Sequence, residues 1–247
     1  MPEWTELAPG GHTCAIRSDG ALFCWGVNTS GELGNGTSGG SPVTAPPTTP
    51  IAGSWRHVAA ISGTTCAIRA DRTLWCWGAD QPTDASGMDT APTQVGTAAD
   101  WDSIALAQDA LGGLELCGVK TGGTLWCWGS VNDASGPQTL ATPIQVGSDT
   151  RWQSIALGVE RCGVKTDGTL WCWDNDDVLG DGRPVALDPP GNSIRALAPT
   201  QLGTATDWRT VSTGGPSCAT KTDGSVRCWG YGASPTPDLK TAPVAVK

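Results

Sequence analysis

The sequence predicts an all-β propeller of five blades, each of four antiparallel strands and each tied by one cross-strand disulfide. Three observations predict it. The phrase Cys-x9-Cys-Trp occurs five times and contains all ten cysteines. A tryptophan opens every copy, at Trp4, Trp55, Trp101, Trp152 and Trp208. The composition, with 34 Gly, 18 Pro and 13 Trp but one Phe and one Tyr, suits short strands with turn-rich connections and not long helices.

Each copy divides into four strands. The first begins at the opening tryptophan, as in "WRHVAAIS", and the second begins at the first cysteine. A three-residue loop, Ser18-Asp19-Gly20 or its equivalent, turns the chain into the third strand, with Gly supplying a positive φ. Arg72 replaces that Gly in the second copy, a departure expected to weaken its turn. Counting outward from the loop, Arg17 faces Ala21, Ile16 faces Leu22, Ala15 faces Phe23 and Cys14 faces Cys24. That last pair falls at a non-hydrogen-bonded site, where Cα atoms lie about 4.5 Å apart, within disulfide range. The same register pairs Cys66 with Cys76, Cys117 with Cys127, Cys162 with Cys172 and Cys218 with Cys228. The fourth strand is "PTQVG"-like, and its Pro lies nine residues before the next opening Trp, at Pro46, Pro92, Pro143 and Pro199.

Strand alternation places Cys14, Ile16, Leu22 and Cys24 on one face and Ala15, Phe23 and Trp25 on the other. Gly118 and Gly163 face Trp126 and Trp171. Both faces are apolar and must be covered, which is the situation of a propeller blade. The expected organisation is one domain over 1–247, with repeats 4–54, 55–100, 101–151, 152–207 and 208–247.

Net charge is −9, which disfavours nucleic acid as a partner, and no apolar run is long enough for a membrane span. The opening "MPEWTEL" is not an export signal, yet paired cysteines imply an oxidising compartment. The expectation is a secreted or cell-surface protein whose signal has been removed.

"GGHTCAIRSDGALFCWGVNTSGELGNG", from Gly10 to Gly36, resembles the regulator of chromosome condensation repeat, and the resemblance extends over the chain as five copies. The Gly31-Glu32-Leu33-Gly34 element is kept only there and, degenerately, at Leu179-Gly180. The cysteine pairs are similar to those of bacterial extracellular members. The family usually forms seven blades, so five copies fit a five-bladed ring or part of a larger one; five blades are expected here. Its members include an exchange factor on chromatin, a plant photoreceptor and a secreted enzyme inhibitor, so the resemblance leaves function open. The family's motif histidine aligns with His12, while His57 in "GSWRHVAA" is out of register.

No catalytic constellation stands out, and two histidines leave little general-base chemistry; no enzyme and no cofactor are expected. The basic residue near each hairpin tip, at Arg17, Arg69, Lys120, Lys165 and Lys221, is read as lying across a neighbouring aromatic ring. "DNDDVLGDG" offers Asp174, Asp176, Asp177 and Asp181 as calcium ligands, but the EF-hand Gly and Glu are missing, so no metal is expected. Length variation falls on the side carrying the first-to-second and third-to-fourth connections. That side also holds Glu32, Asp80, Asp84, Asp89, Asp133, Asp176, Asp177, Asp181, Asp188 and Tyr231, the candidate binding face. The expected function is non-enzymatic recognition of a protein partner with a basic patch, as an inhibitor or adhesion module; a glycan-binding lectin is the alternative.

Overall fold

The computed structural model describes residues 2–79, 88–108, 113–133, 136–158, 160–173, 199–214, 216–230 and 240–245. Five antiparallel sheets follow one another along the chain. The first holds β1 (Trp4–Pro9), β2 (His12–Arg17) and β3 (Leu22–Gly26). The second holds β4 (Trp55–Ile61), β5 (Thr64–Arg69), β6 (Leu74–Gly78) and β7 (Asp89–Gln94). The third comprises β8 (Trp101–Gln108), β9 (Leu114–Lys120), β10 (Leu125–Asp133) and β11 (Gly136–Gln145). The fourth comprises β12 (Trp152–Leu157), β13 (Arg161–Lys165), β14 (Leu170–Trp173) and β15 (Thr200–Gln201). The fifth comprises β16 (Trp208–Ser212), β17 (Pro216–Lys221), β18 (Val226–Gly230) and β19 (Lys240–Ala245). Among the described residues no helix is long and apolar enough to cross a membrane.

The hairpin register is the one counted from the loop. Ile16 pairs with Leu22, Ala15 with Phe23 and Cys14 with Cys24, and Arg17 N–H donates to Ala21 C=O at 3.0 Å. All five cysteine pairs are bonded, each with Cα atoms 4.1 Å apart. The turn glycines take positive φ, such as +80° at Gly20 and +75° at Gly168. Arg72 is forced into the same region at +66°. Its guanidinium reaches Asp102 in the next blade at 2.7 Å, a contact that offsets part of that strain.

The blades form a propeller because each buries its two faces against different neighbours. Cys14, Ile16, Leu22 and Cys24 of the first blade pack on Trp55, Val58, Ala67 and Trp77 of the second. The pattern repeats as disulfide face against tryptophan face through the three following interfaces. The first strands of successive blades pack on one another, β1 on β4, β4 on β8, β8 on β12 and β12 on β16, which sets them nearest the axis.

Two local outcomes differ from expectation. The first blade has three strands, because its fourth segment contains Pro46, Pro47 and Pro50 and touches the sheet only by bridges at Leu22–Ile51 and Gly26–Val43. Proline has no N–H to give a ladder. Secondly, among the described residues the fifth blade does not pack on the first as the other blades pack on their neighbours. Trp4 is therefore 49% exposed and Leu7 60%, whereas their counterparts Trp101 and Ile104 are buried. We expect Ile104→Ala to lower the unfolding free energy by about 2–3 kcal/mol and Leu7→Ala to change it by less than about 0.5 kcal/mol, as measured by urea denaturation.

Candidate functional site

The connections on the loop side are unequal. β3 ends at Gly26 and the chain bridges back to it at Val43 and Ile51; Gly78 is joined to Asp89, and Trp173 to Thr200. Of the residues expected on the acidic face, Asp80, Asp84, Asp176, Asp177, Asp181, Asp188 and Tyr231 lie outside the described residues, as does Asp174. Asp89 starts β7 opposite Gly78 and is half-buried, and Asp133 ends β10. Glu32 is corrected: it is 1% exposed and belongs to the scaffold. Its carboxylate folds back to accept from Ser30 N–H at 2.6 Å, and its carbonyl accepts from Trp77 Nε1 at 2.9 Å and from Thr65 Oγ1 at 2.8 Å. Asn28 holds the same loop by accepting from Leu33 N–H at 3.1 Å. Gly34 must remain Gly, since a Cβ there would stand 2.6 Å from Trp77 Nε1 and φ is +65°.

Beneath these loops lies a polar belt that the sequence reading did not find. At two of the interfaces the residue two before the first cysteine of one blade meets the residue one before the first cysteine of the next. His12 meets Thr65 at 2.6 Å. Thr65 spends its hydroxyl proton on Glu32 C=O, so His12 Nε2 carries the proton donated to Thr65. Burial pushes the His12 pKa down to about 4 against the opposing charge of Glu32, keeping the ring neutral. In the third and fourth blades the pair is Glu115 and Arg161, joined at 2.6 Å from Nε to each carboxylate oxygen. Glu160 accepts from Trp229 Nε1 of the fifth blade at 2.7 Å. Periodicity signals only that these positions face a neighbour; the pairing across blades is what gives them partners.

Glu160 carries a pH dependence. Burial raises its pKa to about 7, and the Trp229 and Ser217 hydrogen bonds only partly oppose that rise. A carboxyl that holds its proton more tightly when folded gives full stability below its ordinary value of 4.5 and loses it as pH rises through about 7. We expect stability to fall by about 3 kcal/mol between pH 5 and pH 8 from this group, and Glu160→Gln to flatten that decline in urea titrations at the two pH values.

Carboxylate and sulfur atoms cluster at Glu115, Cys117 and Cys127 and at Glu160, Cys162 and Cys172. In both, the sulfurs are bonded to each other and are not thiolates, so each cluster offers a single carboxylate. Near the axis, His57 Nδ1 faces Glu6 at 2.5 Å and Nε2 faces Ile104 C=O at 2.9 Å, tying three blades together. Both ring nitrogens meet acceptors. Burial disfavours the charged ring, but the Glu6 hydrogen bond and charge outweigh it and raise the pKa. A ring so occupied has no free nitrogen for general-base work.

The recurring cations lie over aromatic rings as expected. Arg17 is 4.7 Å from the Phe23 centroid, Arg69 3.6 Å from Trp75, Lys120 4.9 Å from Trp126 and Lys165 3.4 Å from Trp171. In the fifth blade, Lys221 lies over the opening Trp208 instead, at 5.0 Å. Trp77, Trp128, Trp173 and Trp229 are fully buried between blades, which makes them packing groups and not sugar platforms.

Comparison with known proteins agrees with this architecture. Residues 10–32 match the regulator of chromosome condensation (RCC1) repeat family. The chain is 27% identical over 160 residues to an RCC1 domain-containing protein, RUG3, mitochondrial, from Arabidopsis thaliana, a match covering 59% of the chain and 34% of that protein. The chain thus spans about a third of that curated relative's length. Human WBSCR16 superposes with a TM-score of 0.77 at 16% identity, over 99% of this chain and 67% of that one. Yeast RCC1 (Prp20), solved bound to Kap60, superposes with a TM-score of 0.62 at 17% identity, over 99% of this chain and 75% of that one. At such identities the structural likeness speaks for the fold.

Proposed function

We propose that this chain, a five-bladed propeller of RCC1-type repeats, is a non-enzymatic scaffold that recognises a protein partner through its loop side in an oxidising, extracellular setting. The observation that carries the reading is the contrast between locked blades and unequal loops. Every blade is cross-linked by a buried or half-buried disulfide, while the third-to-fourth connections run from the short Asp133–Gly136 step to the long Trp173–Thr200 one. Rigid frames with variable loops on one side are what recognition surfaces are built from. Disulfides persist where the environment is oxidising. A yeast RCC1 relative is described with binding properties to Gsp1p and histones, which supports protein partners for such propellers in general. Asp176, Asp177 and Asp181 concentrate negative charge in the longest connection of a chain of net charge −9, which favours a partner with a basic patch.

The test is capture from native secreted fluid by the oxidised protein and by the triple variant Asp176→Asn, Asp177→Asn, Asp181→Asn. A partner held by the first and lost by the second, at equal Tm, supports the reading. Equal retention would remove the acidic loop from it. A saturable glycan-array signal competed by free sugar would replace it with a lectin.

A further inference from the structure

The missing fourth strand of the first blade leaves a space. In blades two to four the residue before the last core position is Gln94, Gln145 or Gln201, paired with Trp75, Trp126 or Trp171. The following residue closes each sheet: Val95, Val146 and Leu202 donate from N–H to the third strand at 2.7–2.8 Å. Ile51 does the same to Leu22 at 2.8 Å, which puts Pro50 at the glutamine position. Between its bridges to Gly26 and Leu22, at Val43 and Ile51, the segment makes no ladder pairing with Phe23 and Cys24. A cavity of about 710 Å³ opens between this segment and the second blade, walled by Cys24, Leu33, Val43, Pro50 and Pro92, with Arg69 at its side. That volume is in the range of small-molecule sites.

Arg69 differs from its counterparts in the other blades. Arg17 pairs with Asp19 at 2.8 Å, Lys120 with Asp100 at 3.1 Å, Lys165 with Asp149 at 2.8 Å and Lys221 with Asp207 at 2.9 Å. Asp100 and Asp207 directly precede Trp101 and Trp208, but Ser54 precedes Trp55. Among the described residues no carboxylate lies within ion-pair distance of Arg69, and its Nε is sealed from solvent without a hydrogen-bond partner. The guanidinium is held between Trp75 and Trp55, at 3.6 and 5.1 Å from their centroids.

We propose that this cavity binds a small amphipathic carboxylate, its head group paired with Arg69 and its apolar body against the prolines, Leu33 and Val43. The fork of an arginine matches a carboxylate in a way that a lysine does not. Besides Arg69, the polar side chains of the wall are the neutral Asn35 and Thr49, so recognition is one charge and one largely apolar body. The cavity wall includes part of the connection after β3, but no acidic residue lines it, so the proposal does not rest on the acidic-loop reading.

The experiment is isothermal titration of the oxidised full chain with octanoate and, separately, with 1-octanol. One saturable octanoate site is expected, at least tenfold tighter than octanol. Arg69→Met should abolish that preference, and Arg69→Lys should weaken it. Because Arg69 also stacks on two rings, Pro50→Gln is the second variant: it replaces an apolar wall residue by a polar one, leaves Arg69 in place and should lose octanoate binding with Tm unchanged. Absence of a saturable octanoate site, equal affinity for the alcohol, or binding that survives both Arg69→Met and Pro50→Gln would each overturn the proposal.

Discussion

Full reduction with dithiothreitol unfolds this protein at neutral pH, read as a red shift of tryptophan emission and loss of the cooperative thermal transition. The expectation follows from size. Each bond closes a short loop, with cysteines 10 residues apart in sequence, and loop-closure entropy gives about 2–3 kcal/mol for such a span. Five such contributions are comparable to the whole net stability of a typical domain, about 5–15 kcal/mol. Removing one pair, as in Cys66→Ala with Cys76→Ala, should lower the unfolding free energy by about 2–4 kcal/mol and leave the protein folded. The order of reduction should be unequal. Cys218 is half-buried, since among the described residues no other blade packs on its blade's disulfide face, and Val226 beside it is 36% exposed, whereas Cys66, Cys117 and Cys162 are sealed. Graded reduction with alkylation and mass mapping should label Cys218 and Cys228 first. A native emission spectrum with all ten cysteines alkylated would refute the account.

The parts of this architecture that were legible beforehand are those set by local rules. A three-residue loop and the alternation of a strand are enough to place Cys14 opposite Cys24 and Gly118 opposite Trp126, because register propagates from the turn. The stacking of Lys165 on Trp171 follows from the same diagonal neighbourhood. What escaped depends on contacts between blades. Glu32 reads as a surface acid, since nothing local reveals that its loop folds down onto Trp77. The missing fourth strand was nearer to hand: Pro46, Pro47 and Pro50 all stand in the six residues ending at Ile51, where the other copies carry one proline. The exposure of Trp4 had no local signal, because a core tryptophan differs from an uncovered one only in what lies over it. Most of the acidic loop residues lie outside the described residues, so the binding face stands on the sequence pattern and the loop lengths.

Arg161→Met should destabilise the protein by about 3–5 kcal/mol at pH 7, the largest effect expected of a single substitution here. Arg161 and Glu115 are 8% and 4% exposed, and the guanidinium grips the carboxylate across the third and fourth blades. Removing the cation leaves a buried carboxylate without its main counter-charge. Part of the loss should therefore return as pH falls and Glu115 takes up a proton. The double variant Glu115→Leu, Arg161→Met should lie within about 1 kcal/mol of the parent, since buried pairs rarely repay their desolvation when both members are replaced by apolar groups. A double-mutant cycle separates the two cases, and near-additive losses would show that the pair is not coupled. If the pair adds little stability, its role lies in specificity. Three of the interfaces carry different chemistry at the residue two before the first cysteine: His12 with Thr65, Glu115 with Arg161, Glu160 with Trp229. Five blades with nearly identical hairpins can stack in wrong order or exchange between chains during folding. Placing Glu115 against Thr65, or His12 against Arg161, leaves a charge unmatched and makes that error costly. The double variant should thus keep its equilibrium stability and lose refolding yield, with the missing material appearing as intermolecular assemblies in size-exclusion chromatography. An unchanged refolding yield would show that the order of blades is set by the loops and disulfides alone.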